Sequence, residues 1–414
     1  MNRRRELDAL RGLMLVLMTV THLPTRWAIP AGQPLGYLSA AEGFVLLSAC
    51  LCGLVYTRQA RSAGIASMRR AFWRRALVIY GCQVAALVFL FTVIALIGVS
   101  VDQPAVKNLM SFYLQHPLTG LLSGLALLYQ PPLLDILPMY VLFMLASPWV
   151  LSHGMRHGWQ GVLALSLGLW LAAQFGATRM IYELAVALTG LPVPLQEMGS
   201  FDTMAWQLVW VLGLWLGNTA AVRPQQMWHP GAFPRWMVAA ALLLAFGGFV
   251  WRHVVGQAPF PDDAARALLL DKWLLGPLRL LGLLAWIVLA LRFGPALARR
   301  LPRLGPLESL GRASLTVFSA HLGIVLVVLA VFGEATPQRP AWVDAVILAG
   351  AFAALLAVAR VWNGRNAARA LLARTPAPVP MQSAAHPQGQ LVVVRDGRAA
   401  VNALPARRQV GSRR

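Results

Sequence analysis

An arginine and a histidine are spaced along one strongly apolar stretch near the N-terminus. Arg11 and His22 lie 11 residues apart. In an α-helix that spacing turns through about 1,100°, within roughly 20° of three complete turns, so both side chains share one helix face, about 16 Å apart along the axis. Ionisable side chains within apolar helices are costly and usually mark a functional site.

The pair is suited to group transfer. A neutral imidazole can accept a proton from a hydroxyl group and so make its oxygen a nucleophile. A guanidinium presents a planar fork of donors that matches phosphate oxygens, such as those of coenzyme A. The structural alternative is an Arg11 side chain extended towards the lipid headgroups and a His22 side chain hydrogen-bonded to a neighbouring helix.

The elements that carry this pair are predicted to be transmembrane helices. The chain has 414 residues, of which 58% are hydrophobic and 12% charged, and its mean hydropathy is +0.62. These values are typical of an integral membrane protein. A membrane span needs about 20 mostly apolar residues. Ten segments meet this requirement: 8–26, 36–57, 75–98, 133–151, 159–176, 204–221, 236–253, 274–292, 309–332 and 342–361.

The basic residues predict the orientation of these spans. With the N-terminus inside, 22 Lys and Arg fall on the inner side, eight on the outer side and six beyond residue 390. Cytoplasmic loops carry such an excess. We therefore expect an all-α polytopic protein of the cell inner membrane, with about ten transmembrane helices and both termini cytoplasmic. Despite the net charge of +21, this alternating distribution indicates no nucleic-acid partner.

The chain is predicted to hold one folded domain and a tail. The membrane domain covers residues 1–362, and residues 363–414, rich in Ala, Pro and Arg, are expected to be a largely disordered cytoplasmic tail. Within it, 391–401 matches a small hairpin around Asp396-Gly397. The spacing of the three cysteines indicates neither a disulfide framework nor a metal site, and no bound cofactor is expected.

Two further ionisable residues in the spans are candidates for the same site. Glu42 lies in the outer part of the second span, where a carboxylate can hold His22 in one tautomer. Its alternative is a first-turn carboxylate that faces headgroups. His321 lies near the middle of the ninth span. It is either a second active-site imidazole or a polar contact between helices.

Residues at the ends of spans are candidates for binding substrate or donor. Asp135 begins the fourth span, and its alternative role is a helix cap. Trp206 and Gln207 open the sixth span, where an interfacial tryptophan is the ordinary interpretation. Arg74 and Arg75 close an arginine-rich run that marks the cytoplasmic side. They could also complete an anionic donor site.

The first helix resembles that of a known family. The string Leu7-Asp8-Ala9-Leu10-Arg11-Gly12, with ten residues between Arg11 and His22, is similar to the first helix of membrane acyltransferase family 3. Later stretches resemble its OpgC branch, whose members succinylate osmoregulated periplasmic glucans. These stretches are 41–45, 134–140, 201–207 and 310–321, and the resemblance runs from about 5 to 360. One departure is Ser48-Ala49-Cys50, where the family commonly has Ser-Gly followed by Tyr or Phe.

The resemblance implies transfer of an acyl group, succinyl or acetyl, from cytoplasmic acyl-CoA to hydroxyls of an envelope glycan. It implies that Arg11 and His22 are essential, with Glu42 or His321 in support. Acyl-CoA, the glycan and the lipid bilayer are the expected partners, and a homo-oligomer is compatible with the sequence. The alternatives are a glycan or lipid transporter, which predicts an inverted repeat or paired broken helices, and a non-catalytic membrane component.

Overall fold

Every regular element of the described residues is a helix. The computed structural model describes residues 5–223 and 233–372, and the all-α prediction is confirmed for them. The principal helices are α1 (Arg5–His22), α2 (Ala40–Phe89), α3 (Ile136–His157), α4 (Gln160–Gln174), α5 (Ala177–Thr189), α6 (Thr203–Val222), α7 (Arg235–Val255), α8 (Pro277–Arg300), α9 (Gly305–Arg312), α10 (Ser314–Phe332) and α11 (Ala341–Leu372).

Shorter helical segments connect these helices. A π-helical turn, Leu90–Ile94, and a short α-helix, Ala95–Ser100, extend α2. The other short segments are Ala28–Ala31, Pro104–Leu109, Ser111–Gln115, Pro117–Leu125, Leu195–Glu197, Ala264–Ala267 and Leu268–Leu270.

Helix α2 is a helical hairpin rather than one rod. Gly64 has φ 82° and ψ 163°, a conformation that glycine adopts at little cost because it has no Cβ. On either side of it, the rings of Tyr56 and Phe72 lie with their centroids 3.8 Å apart, and Gln59 Nε2 donates to Ser67 Oγ at 3.1 Å. The chain therefore reverses at Gly64 and its two arms pack against each other.

The helices account for a multi-pass membrane protein. Each of the ten predicted segments contains helix, and 36–57 and 75–98 fall on the two arms of α2. Among the described residues, seven helices are long and apolar enough to cross a membrane, with α2 and its extension counted once. The pair α4 and α5, bent by 76°, makes an eighth if it is one span. The number of spans and the side of the termini stay predictions.

Close backbone contacts hold α1 and α2 against their neighbours. A Cβ added at Gly12 of α1 would lie 2.0 Å from the carbonyl oxygen of Leu307, and one added at Gly311 of α9 would lie 1.8 Å from that of Asp8. A Cβ at Gly217 of α6 would lie 2.0 Å from the carbonyl oxygen of Cys50. Small residues thus let α1 pack on α9 and α2 on α6 at backbone distance.

The C-terminal part differs in one respect from the predicted domain boundary. Helix α11 runs to Leu372, so residues 363–372, which the composition assigns to the tail, continue this helix. The rest of the predicted tail and the hairpin at 391–401 lie outside the described residues.

Candidate active site

Arg11 and His22 both point into the helix bundle, on the side where α1 meets α10. Arg11 Nη2 donates a hydrogen bond to Ser314 Oγ at the start of α10. His22 Nδ1 lies 3.0 Å from His321 Nε2, two turns further along the same helix. The shared face predicted for α1 therefore lies along a single neighbouring helix.

The two imidazoles form a directed chain of hydrogen bonds. His321 Nδ1 lies 3.2 Å from the carbonyl oxygen of Phe318, and a ring nitrogen can only donate to a carbonyl. In the neutral ring His321 Nε2 must then be the acceptor, so that His22 Nδ1 donates to it. His22 Nε2 consequently keeps its lone pair free, as a general base requires. His321 is fully buried, and the two rings stack with centroids 5.1 Å apart.

Glu42 does not hold His22, and this prediction is wrong. Its buried carboxylate forms a salt bridge with Arg279 of α8 and accepts the backbone N–H of Ser39 at 3.0 Å. Ser39 and Glu42 together form a capping box at the start of α2. The tautomer of His22 is fixed by His321 instead.

His22 lines a cavity of about 460 Å³, which we call the histidine cavity; its polar lining includes Asp135, Ser200 and Lys272. Asp135 makes no side-chain cap of α3, and its carboxylate accepts the backbone N–H of Ser200 at 3.1 Å. Lys272 was not predicted from the sequence, because it lies in a loop rather than in a span.

Arg11 lines a second cavity of about 190 Å³, the arginine cavity, together with Arg75, Ser48, Tyr140 and Ser314. Three buried polar atoms there, Arg11 Nε, Ser48 Oγ and the Tyr140 hydroxyl, make no hydrogen bond of ordinary geometry within the described part of the chain. A buried polar atom without a partner costs about 1–3 kcal/mol. The cavity is therefore suited to a polar ligand that satisfies these atoms.

Of the two arginines predicted for the donor site, one lines the arginine cavity and the other does not. Both side chains are exposed, but Arg75 lines the arginine cavity and Arg74 does not. Arg75 thus joins Arg11 in the lining of one cavity, whereas Arg74 is not part of that lining.

Aromatic rings separate the two cavities. Phe318 lines the arginine cavity, and its ring centroid lies 5.3 Å from that of His321. Phe44 stacks on Phe318 at 5.7 Å and lies 6.0 Å from Tyr140. Ile136 lines both cavities, so the wall between them is one side chain thick.

Trp206 and Gln207 line neither cavity. Trp206 is fully buried, and its Nε1 donates to the carbonyl oxygens of Lys272 and Trp273 at 3.2 and 3.0 Å. Gln207 Nε2 donates to the carbonyl oxygen of Ser166 at 2.7 Å, which joins α6 to α4. Both residues therefore hold neighbouring segments together, and neither contributes a side chain to the lining of a cavity.

Comparison with known proteins gives one match. The family model described as OpgC protein matches residues 3–366, most of the chain. No curated protein and no solved structure matches the sequence.

Proposed function

Because the chain belongs to the OpgC family, we propose that it transfers an acyl group from cytoplasmic acyl-CoA to a hydroxyl of a periplasmic glucan. Family membership indicates an acyltransferase that modifies periplasmic glucans. The coenzyme A donor, the inner-membrane location and the acyl group are the finer parts of the proposal. The observation that carries it is the contact of His22 Nδ1 with His321 Nε2 in a cavity one side chain away from the arginine cavity, because this contact leaves His22 Nε2 as the proton acceptor.

The arginine cavity supports a donor site. Arg11 and Arg75 supply guanidinium groups for phosphate oxygens. The Ser48 and Tyr140 hydroxyls interact with each other but make no hydrogen bond of ordinary geometry, so they suit the amide groups of the pantetheine arm. To reach His22 the acyl thioester must pass the layer formed by Phe44 and Phe318, so these rings have to move during the reaction.

The histidine cavity supports the acceptor end and the chemical step. His22 Nε2 takes the proton of a sugar hydroxyl as its oxygen attacks the thioester carbonyl carbon. The tetrahedral intermediate collapses, the carbon–sulfur bond breaks, and the imidazolium returns the proton to the leaving thiolate. The products are a glucan ester and free coenzyme A. His321 accepts from His22 Nδ1 throughout, and Asp135 is placed to bind a further sugar hydroxyl.

The transferred group is proposed to be succinyl, with acetyl as the alternative. The likeness to the OpgC branch supports succinyl. A succinyl group ends in a carboxylate, which needs a cation at the acceptor end of the site.

The transporter alternative predicts broken helices in matching halves of the chain. One bent pair is present, α4 with α5, and it has no counterpart elsewhere in residues 5–223 and 233–372. Neither α4 nor α5 contributes to the two cavities. The enzyme is therefore the better account.

The test is mass analysis of envelope glucans from cells that express the His22→Ala variant. Loss of the general base should lower acylation by about 100-fold to 10,000-fold, because His22 is the one imidazole among the described residues that line the cavity. His253→Ala is the matched control, since His253 is an exposed imidazole on α7. Normal acylation by His22→Ala at normal protein level would refute the proposal.

A further inference from the structure

Lys272 is a half-buried cation that lines the histidine cavity. The chain has two lysines, Lys107 and Lys272, against 34 arginines. Lys107 forms an exposed salt bridge with Asp102. Lys272 Nζ forms no salt bridge with any residue that the structure describes; it lies 4.2 Å from the ring centroid of Trp273 and 5.6 Å from that of Phe201.

The acidic groups nearest to Lys272 are already engaged. Glu42 forms its salt bridge with Arg279, and Asp135 accepts the Ser200 backbone N–H. Burial lowers the pKa of Lys272, while the negative charges of Glu42 and Asp135 act in the opposite direction. A half-buried ammonium with a weak counter-charge is stabilised by an anionic ligand.

Side chains of α4 and α6 hold the loop that carries Lys272 by hydrogen bonds to its backbone. Besides the two bonds from Trp206, Trp170 Nε1 donates to the carbonyl oxygen of Leu275 at 2.9 Å. Gln174 Nε2 donates to that of Leu274, also at 2.9 Å. All of these hydrogen bonds are accepted by backbone carbonyl oxygens of the loop. The loop is therefore held in place without the Lys272 ammonium group, which remains available to a ligand in the cavity.

We propose that Lys272 binds the terminal carboxylate of the transferred acyl group and so selects a dicarboxylic acyl donor over a neutral one of equal length. The inference rests on the proposed function, because it assigns the acyl end of the same site. In succinyl the carboxylate carbon lies about 4 Å from the carbonyl carbon that the hydroxyl attacks. His22 and Lys272 line one cavity, so base and cation can act on the two ends of one group. The Lys272 ammonium binds and positions; it takes part in no bond that forms or breaks.

The test is a donor competition with the purified full-length protein in lipid nanodiscs. Equal concentrations of succinyl-CoA and butyryl-CoA, which is neutral and has the same chain length, are supplied with a neutral glucan. Mass analysis of the product gives the ratio of succinyl to butyryl esters. Wild type should favour succinyl. Lys272→Met should lower the ratio about 30-fold or more, the effect of removing one partner of a close charge pair. Lys272→Arg should keep most of the preference.

The control variant is Lys107→Met, which removes the only other lysine and should leave the ratio unchanged. If Lys272→Met lowers transfer from both donors equally, or leaves the ratio at the wild-type value, the inference is overturned. Lys272 would then stabilise the loop or bind the glucan acceptor rather than the acyl group. A wild type without preference for succinyl overturns it as well. If wild type transfers neither group, the proposed function itself fails. If the Lys272→Met protein does not accumulate, the ratio of succinyl to butyryl esters is measured for Lys272→Gln and Lys272→Arg instead.

Discussion

The arginine cavity and the histidine cavity lie at opposite ends of one face of α1. They differ in how far their polar groups are hydrogen-bonded within the protein. In the arginine cavity, Arg11 Nε and the hydroxyls of Ser48 and Tyr140 are left without ordinary hydrogen bonds. In the histidine cavity, His22 Nδ1, both ring nitrogens of His321 and the Asp135 carboxylate already have hydrogen-bond partners within the protein. The arginine cavity therefore leaves the polar atoms beside its guanidinium groups to a ligand. The histidine cavity holds a base that is oriented before the substrate arrives, and among its described lining groups it leaves Gln33 Oε1 and the Lys272 ammonium to a ligand.

This difference separates binding from chemistry. Substitutions of His22 or His321 should lower kcat, because they disturb a preorganised proton acceptor. Substitutions at the arginine cavity should raise the KM for acyl-CoA, because they remove contacts made to the bound donor in its ground state and transition state alike.

The largest of these effects is expected at His321. His321→Leu removes the acceptor for His22 Nδ1–H, so the ring of His22 is free to rotate or to take the other tautomer. We expect kcat to fall on the order of 100-fold with little change in KM. Steady-state release of coenzyme A by the purified protein measures both. His321→Gln offers an amide oxygen as acceptor and should recover part of kcat. Equal kcat in the Leu and Gln variants would show that His321 does not position His22.

A smaller effect is expected for Arg75, with its neighbour as the matched control. Arg75 lines the arginine cavity and Arg74 does not, although both are exposed arginines in one helical turn. Arg75→Ala should raise the KM for acyl-CoA by about tenfold, the value of one charge-assisted contact of roughly 1.4 kcal/mol. Arg74→Ala should leave it near the wild-type value. The same rise in both variants would indicate a general attraction of anions by the arginine-rich surface.

The smallest effect is expected at Tyr140. Tyr140→Phe removes a buried hydroxyl that makes no hydrogen bond of ordinary geometry and interacts only with the Ser48 side chain among the described hydroxyls, so the free protein should lose little thermal stability. The KM for acyl-CoA should nevertheless rise a few-fold, about 1 kcal/mol for a neutral hydrogen bond to the donor. Thermal unfolding in detergent and donor titration measure the two quantities. A clear loss of stability without a change in KM would mean that the hydroxyl serves the fold.

The residues that sequence reasoning found are those whose signal is local. Arg11 and His22 follow from helical periodicity, and His321 is conspicuous because an imidazole in an apolar span is rare. The sequence places Glu42 in a first turn, but its cap with Ser39 was not predicted, although the spacing of Ser39 and Glu42 is a local signature of a capping box.

Contacts between distant segments could not be predicted in this way. Glu42 is paired with Arg279, which is 237 residues away, and no local pattern links the two. Lys272 depends on a loop fixed by Trp206 and by residues of α4, so its place at the cavity is a tertiary property. Helix α5 was missed because the chain bends after Gly176, which has φ 81°.

The most direct test of the account is release of free coenzyme A by the purified protein from labelled acyl-CoA, with and without a glucan acceptor. Wild type should release coenzyme A when acceptor is present and form an equal amount of labelled ester. His22→Ala should do neither, although it binds acyl-CoA as tightly as wild type through the intact arginine cavity. Release of coenzyme A with ester formation by His22→Ala at the wild-type rate would contradict the assignment of His22 as the base.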